Sequence, residues 1–312
     1  MTGPDPAASG PAGRAAGARS TDHAGGIELP ASVTRSTEGE LPVLVVSGPA
    51  ADAVVHLQGA QVTSWTPHGA SPVLWLSPRT RLERGAAVRG GVPLCFPWFG
   101  PHPYDVTAPA HGFARLSPWT LLEAREHADD VVLRLGLADD AVTRASAWPH
   151  RFEAVCTVTV GRTLRVELAV TNRDDEDVTL TAALHTYLAV ADARSTTVSG
   201  LEGTPYVDKA GGGAERPGED GPVRFDGETD RVYLGTDAAT TVDDRARRLV
   251  VGKSGSRTTV VWNPGADRGA AMRDVGDAWP GFVCVEAVNA PPDVIRLAPG
   301  ATHVLATSVE VG

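Results

Sequence analysis

The clearest pattern in this sequence is an alternation of apolar and polar positions between residues 152 and 170. Every second residue of 152–160 is apolar or small, and the same period returns in 164–170 after a turn at Gly161. A period of two is typical of a strand with one buried face. The pattern therefore predicts an antiparallel hairpin. A polar run at 172–177 then leads into 178–190, which we predict to be the third strand of a meander.

Short apolar segments of similar character recur from residue 27 to the end of the chain. Glycine, proline and polar residues separate them, and no convincing amphipathic helix lies between them. Regularly spaced strands of this kind predict an all-β fold with two packed antiparallel sheets. The other predicted strands are 41–46, 52–65 with a break at Gly59, 73–76, 119–124, 131–137, 258–262, 282–288, 294–297 and 303–311.

Composition divides the chain into a tail and one domain. Residues 1–26 consist mainly of Ala, Gly, Pro and Ser with scattered charges, which predicts a disordered N-terminal tail. Residues 27–312 show neither an internal boundary nor a clean repeat, so we expect a single domain. Residues 204–228 are rich in Gly, Pro and charge and predict a long surface loop. Loops of this length are usually lids, binding loops or disordered.

Charge and cysteine usage exclude several classes of function. The formal net charge of -10 argues against nucleic acid and anionic membrane surfaces as partners. Cys95, Cys156 and Cys284 are odd in number and lack metal-ligand spacing, which predicts buried, reduced thiols in a cytoplasmic protein. Neither a signal peptide nor a spanning helix is visible. Without phosphate-loop, dinucleotide or metal-binding motifs, we expect no metal and no cofactor.

The stretch from residue 88 to 115 concentrates positive charge on a stiff backbone. Arg89, His111 and Arg115 lie here among glycines and prolines that allow close backbone approach and limit strands to short pieces. We predict a structured loop that presents these side chains to a ligand. Taken singly they have simpler explanations, because loop arginines often form exposed ion pairs and a histidine can close a turn.

Two further titratable residues lie inside predicted strands. His185 shares a strand face with small or polar residues, which leaves room for a ligand, although a core histidine bonded to a carbonyl explains it equally well. Glu286 interrupts an apolar run, and a buried carboxylate needs a cation or a function. Burial would raise its pKa, as suits a general base. The alternative is a structural ion pair with an arginine. Asp230, beside Arg231, could likewise belong to a solvated ion pair.

Six motifs in order along the chain resemble those of one family. They are R-G-G-V-P-L-C-F-P-W-F-G, H-G-F-A-R, L-H-T-Y-L, E-T-D-R-V-Y, V-W-N-P-G and F-V-C-V-E-A. Together they resemble the hexose-6-phosphate mutarotases, which are the glucose-6-phosphate 1-epimerases of the aldose 1-epimerase superfamily. The resemblance implies a galactose-mutarotase-like β-sandwich of two large antiparallel sheets. It differs at Ala110, where some relatives carry glutamine, so one hydrogen bond to the substrate is expected to be missing or replaced.

The resemblance also implies a reaction and a set of roles. The chain would interconvert the α and β anomers of a hexose 6-phosphate, most simply glucose 6-phosphate, by acid/base-catalysed ring opening. The catalytic residues would be His185 as the general acid and Glu286 as the general base. The substrate-binding residues would be Arg89, His111, Arg115 and Asp230, with Arg89 and Arg115 clamping the phosphate. The expected partner is a small sugar phosphate, and the expected state is a monomer.

The mechanism expected from these roles moves two protons. Glu286 would take the proton of the anomeric hydroxyl, and a protonated His185 would give one to the ring oxygen. Two alternatives remain open. One is an aldose 1-epimerase for unphosphorylated sugars, and the other is a carbohydrate-binding sandwich without catalytic activity.

Overall fold

A computed structural model describes residues 26–312, and strands dominate it. The first strands in chain order are β1 Val33–Glu38, β2 Leu41–Ser47, β3 Ala51–His56, β4 Gln61–Pro67, β5 Leu94–Cys95, β6 Thr120–His127, β7 Asp130–Ala138, β8 Phe152–Val160, β9 Thr163–Asn172, β10 Val178–Leu180, β11 Ala182–Leu184 and β12 Tyr187–Ala189. The remaining strands are β13 Thr197–Ser199, β14 Tyr206–Asp208, β15 Ala214–Arg216, β16 Val223–Arg224, β17 Thr229–Leu234, β18 Thr240–Asp243, β19 Arg248–Ser254, β20 Thr258–Asn263, β21 Phe282–Asn289, β22 Ile295–Leu297 and β23 Thr302–Val311.

Helices are few and short in the described part of the chain. The single α-helix there is α1, Gly265–Ala271, and four 3-10 segments span Ala114–Leu116, Thr143–Ala145, Ala193–Ser195 and Gly276–Gly281. Between residues 26 and 312 no helix is long and apolar enough to cross a membrane. The tail predicted for 1–26 lies, apart from Gly26, outside the described residues, so the division into tail and domain stays a prediction.

Two large antiparallel sheets form the sandwich that the alternating pattern predicted. The nine-stranded sheet has the order β16-β13-β18-β19-β23-β9-β8-β7-β6, and the eight-stranded sheet has the order β15-β14-β17-β20-β21-β11-β5 with β12 also paired to β21. A four-stranded sheet, β1 to β4, and the pair β10-β22 complete the fold. The hairpin predicted around Gly161 is confirmed, with β8 and β9 in continuous register.

Strand β21 is buried on both faces and connects the core to the candidate site. Val283, Val285 and Ala287 belong to the main hydrophobic cluster of the protein. Cys284 and Val288 alternate with them and belong to a second cluster on the opposite face, around several aromatic side chains. Because side chains alternate along a strand, Glu286 points to this second, aromatic side.

Three local predictions differ from the structure. The strand expected at 178–190 is broken into β10, β11 and β12, because the N–H of His185 bonds to the Pro93 carbonyl and that of Thr186 turns back to Leu184. The segment 204–228 is not an unstructured loop. It carries β14, β15 and β16, and buried Tyr206 packs on Tyr233 with ring centroids 5.1 Å apart. Residues 73–76 form only isolated bridges.

Positive φ angles hold the stretch 88–115 in the shape expected from its glycines. His111 and Gly112 both adopt left-handed conformations, with φ of 65° and 74°. A Cβ on Gly112 would lie 2.0 Å from the carbonyl oxygen of Phe96, so no other residue fits without moving the backbone. Glycine is therefore required here for close packing as well as for its φ.

Replacing Gly112 by alanine tests this close approach. Gly69 is the matched control, because it has a φ of 83° but nothing within 4 Å of its added Cβ. We expect Gly69→Ala to lower the free energy of unfolding by about 1–2 kcal/mol through backbone strain alone. Gly112→Ala should cost roughly 2 kcal/mol more, because of the clash. Equal losses in urea unfolding would contradict the packing described for Gly112.

Candidate active site

Strand register places His185 beside Glu286. Leu184 lies opposite Ala287 where β11 pairs with β21, and the pairing resumes with β12 at Tyr187. His185 falls in the short gap between these strands, so the same register sets it against Glu286. Nε2 of His185 is 3.4 Å from Oε1 of Glu286. Two residues from distant parts of the sequence, predicted separately, thus form one pair.

The pair is almost fully buried and lies among aromatic side chains. Side-chain exposure is 11% for His185 and 1% for Glu286. The imidazole stacks on the Tyr187 ring, with centroids 4.7 Å apart and planes 6° from parallel, and meets Trp262 edge-on. Nδ1 of His185 and Oε2 of Glu286 are buried and have no hydrogen-bond partner among the described residues. Buried polar atoms without partners are costly, and a catalytic role is one of the explanations for such an atom.

In the protein without bound substrate, burial determines the charge of the His185–Glu286 pair. It raises the pKa of Glu286 well above its ordinary value, because a carboxylate is poorly solvated there. It also lowers the pKa of His185 well below its ordinary value, and the nearby His111, Arg89 and Arg115 add to this effect. Both shifts favour a neutral carboxyl beside a neutral imidazole. The mechanism expected from the sequence began instead from a protonated His185.

His111 is held as a neutral hydrogen-bond donor. The N–H of Gly100 donates to its Nδ1 at 3.2 Å, which leaves the ring proton on Nε2. Burial lowers the pKa of His111 to about 3, and the positive charges of Arg115, Arg89 and Lys209 act in the same direction. The ring therefore offers an N–H group, and not a positive charge, at neutral pH.

Arg89 supports the pair through a tyrosine. Its Nε donates to Oδ2 of Asp274 and its Nη1 donates to the hydroxyl of Tyr187, both at 2.8 Å. Tyr187 is the same ring that stacks on His185. The guanidinium side chain is 25% exposed, which leaves part of it open to the cavity.

Arg115 lies outside the wall of the cavity, in contrast to the other residues predicted for the site. Its Nη2 donates to the carbonyl of Ala110 at 2.7 Å, while its Nε is buried without a partner among the described residues. Burial is the main cause of the low pKa values of His111 and His185, and the positive charge of Arg115 adds to it. The structure therefore brings five of the six predicted residues to one cavity, whereas Arg115 does not line it.

Asp230 enters the site from β17. It lies opposite Trp262 in the register of β17 and β20. Partial burial raises the pKa of Asp230, and the positive charges of Lys209 and Arg268 oppose that shift. The carboxylate is thus at the same cavity as the pair but in a more polar part of it.

These side chains surround a cavity of about 300 Å³, which is large enough for a small organic ligand. A larger cavity of about 610 Å³ lies beside Trp279 and shares Arg268, but the His185–Glu286 pair does not line it. The smaller cavity, which the His185–Glu286 pair lines, is therefore the candidate active site. Its lining is Arg89, Phe99, Gly100, Pro101, His111, His185, Lys209, Asp230, Val260, Trp262, Arg268, Met272 and Glu286.

Two cations of this lining, Lys209 and Arg268, were not predicted from the sequence. Lys209 follows β14 inside the segment predicted as a loop, and Arg268 lies on α1. The rarity of lysine could have drawn attention to Lys209, since the chain has only two lysines and the other is Lys253. For Arg268 the sequence offered none, because arginine is common throughout the chain.

The cysteines are reduced and lie in the protein interior. Cys95, Cys156 and Cys284 are free thiols and all three are buried, as the apolar runs around them predicted. In the part of the chain that the structure describes, no three His, Cys, Asp or Glu side chains are grouped so that they could hold a metal ion.

Comparison with known proteins identifies the family. The family model described as aldose 1-epimerase matches residues 42–310, so the chain belongs to the aldose 1-epimerase family. A protein of Escherichia coli (strain K12) named "Putative glucose-6-phosphate 1-epimerase" is 40% identical over 261 residues, which cover 83% of this chain and 86% of that protein. The family that the sequence motifs resembled is thereby confirmed.

Solved structures share the fold. "A putative mutarotase (YeaD) from Salmonella typhimurium" superposes with a TM-score of 0.86 at 36% identity, over 92% of this chain and 95% of that one. A galactose mutarotase-like protein from Lactobacillus casei superposes with a TM-score of 0.69 at 16% identity, over 86% of this chain and 100% of that one. The second likeness shows the fold alone. The predicted galactose-mutarotase-like β-sandwich is confirmed.

The state of His111 can be tested by titration. We expect its imidazole to stay neutral between about pH 8 and pH 5, because burial and three cations hold its pKa near 3. The measurement is imidazole NMR, with the signal assigned by its loss in His111→Asn. The unfolded chain takes up this proton near pH 6.5, so the contribution of His111 to stability should decrease as the pH falls below that value. Protonation of the folded protein near pH 6.5 would contradict the assignment.

Proposed function

We propose that this protein interconverts the α and β anomers of a hexose 6-phosphate, with glucose 6-phosphate as the leading substrate. The observation that carries the proposal is the buried His185–Glu286 contact at 3.4 Å in a cavity of substrate size. The E. coli relative is named "Putative glucose-6-phosphate 1-epimerase", and this name supports the substrate class. The cytoplasmic location and monomeric state expected from the sequence remain predictions.

The reaction needs one base and one acid at the same time. In our proposal Glu286 removes the proton of the anomeric hydroxyl while His185 protonates the ring oxygen, and the bond between C1 and the ring oxygen breaks. The open-chain aldehyde rotates about C1–C2. Reclosure returns both protons and gives either anomer, so the protein ends as it began.

Burial favours a neutral Glu286 beside a neutral His185, and this protonation state occurs at one stage of the cycle. After ring opening Glu286 holds the hydroxyl proton and His185 has lost its own, so both groups are neutral while the sugar is open. The charged arrangement that begins the cycle contains the same number of protons. Negative charge brought by a phosphate would favour an imidazolium in the site, because opposite charges stabilise each other strongly at low dielectric. Binding of the phosphorylated substrate would therefore stabilise the protonated His185, which burial disfavours in the protein without substrate.

The remaining predicted residues would hold the sugar. His111 would donate from Nε2 to a sugar oxygen, and Asp230 would accept from hydroxyl groups. Arg89 would contribute positive charge from the wall, where part of its guanidinium is exposed. Arg115, which does not line the cavity, would act through the effect of its positive charge on the histidines. Its predicted direct contact with phosphate is the least supported of these roles, since its Nη2 is bonded to Ala110.

Replacing Glu286 by glutamine tests the base. The change removes proton transfer but keeps the shape and neutrality of the buried group, so the fold should be preserved. We expect the acceleration of anomer exchange to fall by roughly 10²- to 10⁴-fold. Exchange NMR of α and β glucose 6-phosphate measures it directly.

Glu310→Gln provides the matched control, because Glu310 is exposed on β23 and the change is chemically the same. It should exchange the anomers at the wild-type rate. If Glu286→Gln also retained that rate, Glu286 could not be the base. Binding of sugar with no acceleration even in the wild type would favour the non-catalytic alternative.

A further inference from the structure

Lys209 lines the cavity but was not among the residues predicted for the site. It is one of only two lysines in the chain, and the segment that carries it was predicted to be a surface loop. Instead it follows β14 directly, and its backbone N–H donates to the carbonyl of Asp230 at 2.8 Å. The residue is therefore anchored to the sheet at its backbone while its side chain remains exposed.

The sheet register gives the position of Lys209 relative to Glu286. Lys209 is bonded to Asp230, Asp230 lies opposite Trp262 on β20, and Val260 on β20 lies opposite Glu286 on β21. The order β14-β17-β20-β21 thus separates the two backbones by three strand spacings, about 14 Å across the sheet, and by two residues, about 7 Å, along the strands. A flexible lysine side chain can shorten this distance by leaning over the cavity that both residues line.

A row of aromatic rings connects the ammonium group to the catalytic pair. Nζ of Lys209 lies 5.3 Å from the centroid of the Phe99 ring, and Phe99 lies 5.2 Å from the ring of His111. The His111 ring is in turn 6.0 Å from that of His185. The ammonium group thus stands at one end of the site and the proton-transfer pair at the other.

The other cations of the lining already have partners. Nε of Arg89 is 2.8 Å from a carboxylate oxygen of Asp274, and Nη1 of Arg268 is paired with Glu228. Within residues 26–312 no carboxylate oxygen lies within 4.0 Å of Lys209 Nζ. The charge of Lys209 does reach the site, since it opposes the rise in the pKa of Glu286 that burial causes. Lys209 is therefore the lining cation most available to an incoming anion.

We propose that Lys209 binds the phosphate group of the substrate and so determines the preference for phosphorylated over free sugars. The inference rests on the proposed function and deepens it. A hexose 6-phosphate carries its phosphate at the opposite end of the molecule from C1, so a sugar with C1 at the His185–Glu286 pair would direct its phosphate away from the pair, toward another part of the lining they share with Lys209. An ammonium group is a compact charge with three donors, suited to phosphate oxygens in several orientations. Its contact with the phosphate is charge-assisted and correspondingly strong.

The test compares Lys209→Met with the wild type on two sugars. The ratio of kcat/KM for glucose 6-phosphate to that for glucose should fall roughly 10- to 100-fold, with the loss in KM for the phosphorylated sugar. Lys209→Arg should restore much of the preference, because it keeps the charge. Arg35→Met is the matched control, since Arg35 is exposed on β1 and its replacement removes one positive charge far from the cavity. It should leave the ratio unchanged.

Calorimetric binding of the two sugars separates this inference from the proposed function. If the wild type accelerates exchange but Lys209→Met keeps the full preference in both kinetics and binding, the role of Lys209 is wrong and the function stands. If the wild type does not accelerate anomer exchange of either sugar, the proposed function is wrong. The binding measurements then still test the role of Lys209. A preference for glucose 6-phosphate that Lys209→Met abolishes would then support the role of Lys209. An equal affinity of the wild type for both sugars would overturn it.

Discussion

The contact between His185 and Glu286 is the constraint on which the rest of this site depends. Neither group is stable alone in such a place, since each is buried and each keeps one polar atom without a partner among the described residues. Together they can hold one proton between them without net charge. The register of β21 with β11 and β12 makes the contact possible.

The surrounding structure supports the pair from two sides. On one side, the main hydrophobic core fixes β21 through the side chains that alternate with Glu286. On the other, Arg89 bonds to Tyr187, and Tyr187 stacks on His185, so the guanidinium positions the imidazole through an aromatic ring. Several cations collect near the cavity in a chain whose net charge is -10. Burial is the main cause of the low pKa values of the histidines, and this local concentration of positive charge adds to it. The same charge favours an anionic ligand.

Much of this arrangement could be predicted from sequence, for physical reasons that differ between elements. Strands β8 and β9 alternate strictly, so their faces and register followed from the period of two. Glu286 was recognisable because a carboxylate in an apolar run is costly. The break at His185 was not predictable, since it depends on a hydrogen bond to the distant Pro93 carbonyl. Lys209 was missed because only the order of the sheet brings the end of β14 to the cavity. Arg268 was missed because nothing in the sequence distinguishes it from the many other arginines. Arg115 was predicted to bind substrate, but the fold leaves it out of the cavity lining.

The central claim is that His185 and Glu286 act as one proton-transfer unit, and a double variant tests it most directly. The measurement is the exchange rate of α and β glucose 6-phosphate for His185→Gln, Glu286→Gln and the two changes combined. Residues that act as a unit show strongly non-additive effects, so the double variant should lose no more than about the larger single loss. Losses that multiply would mean that the two residues contribute independently, and that result would contradict a single proton-transfer unit.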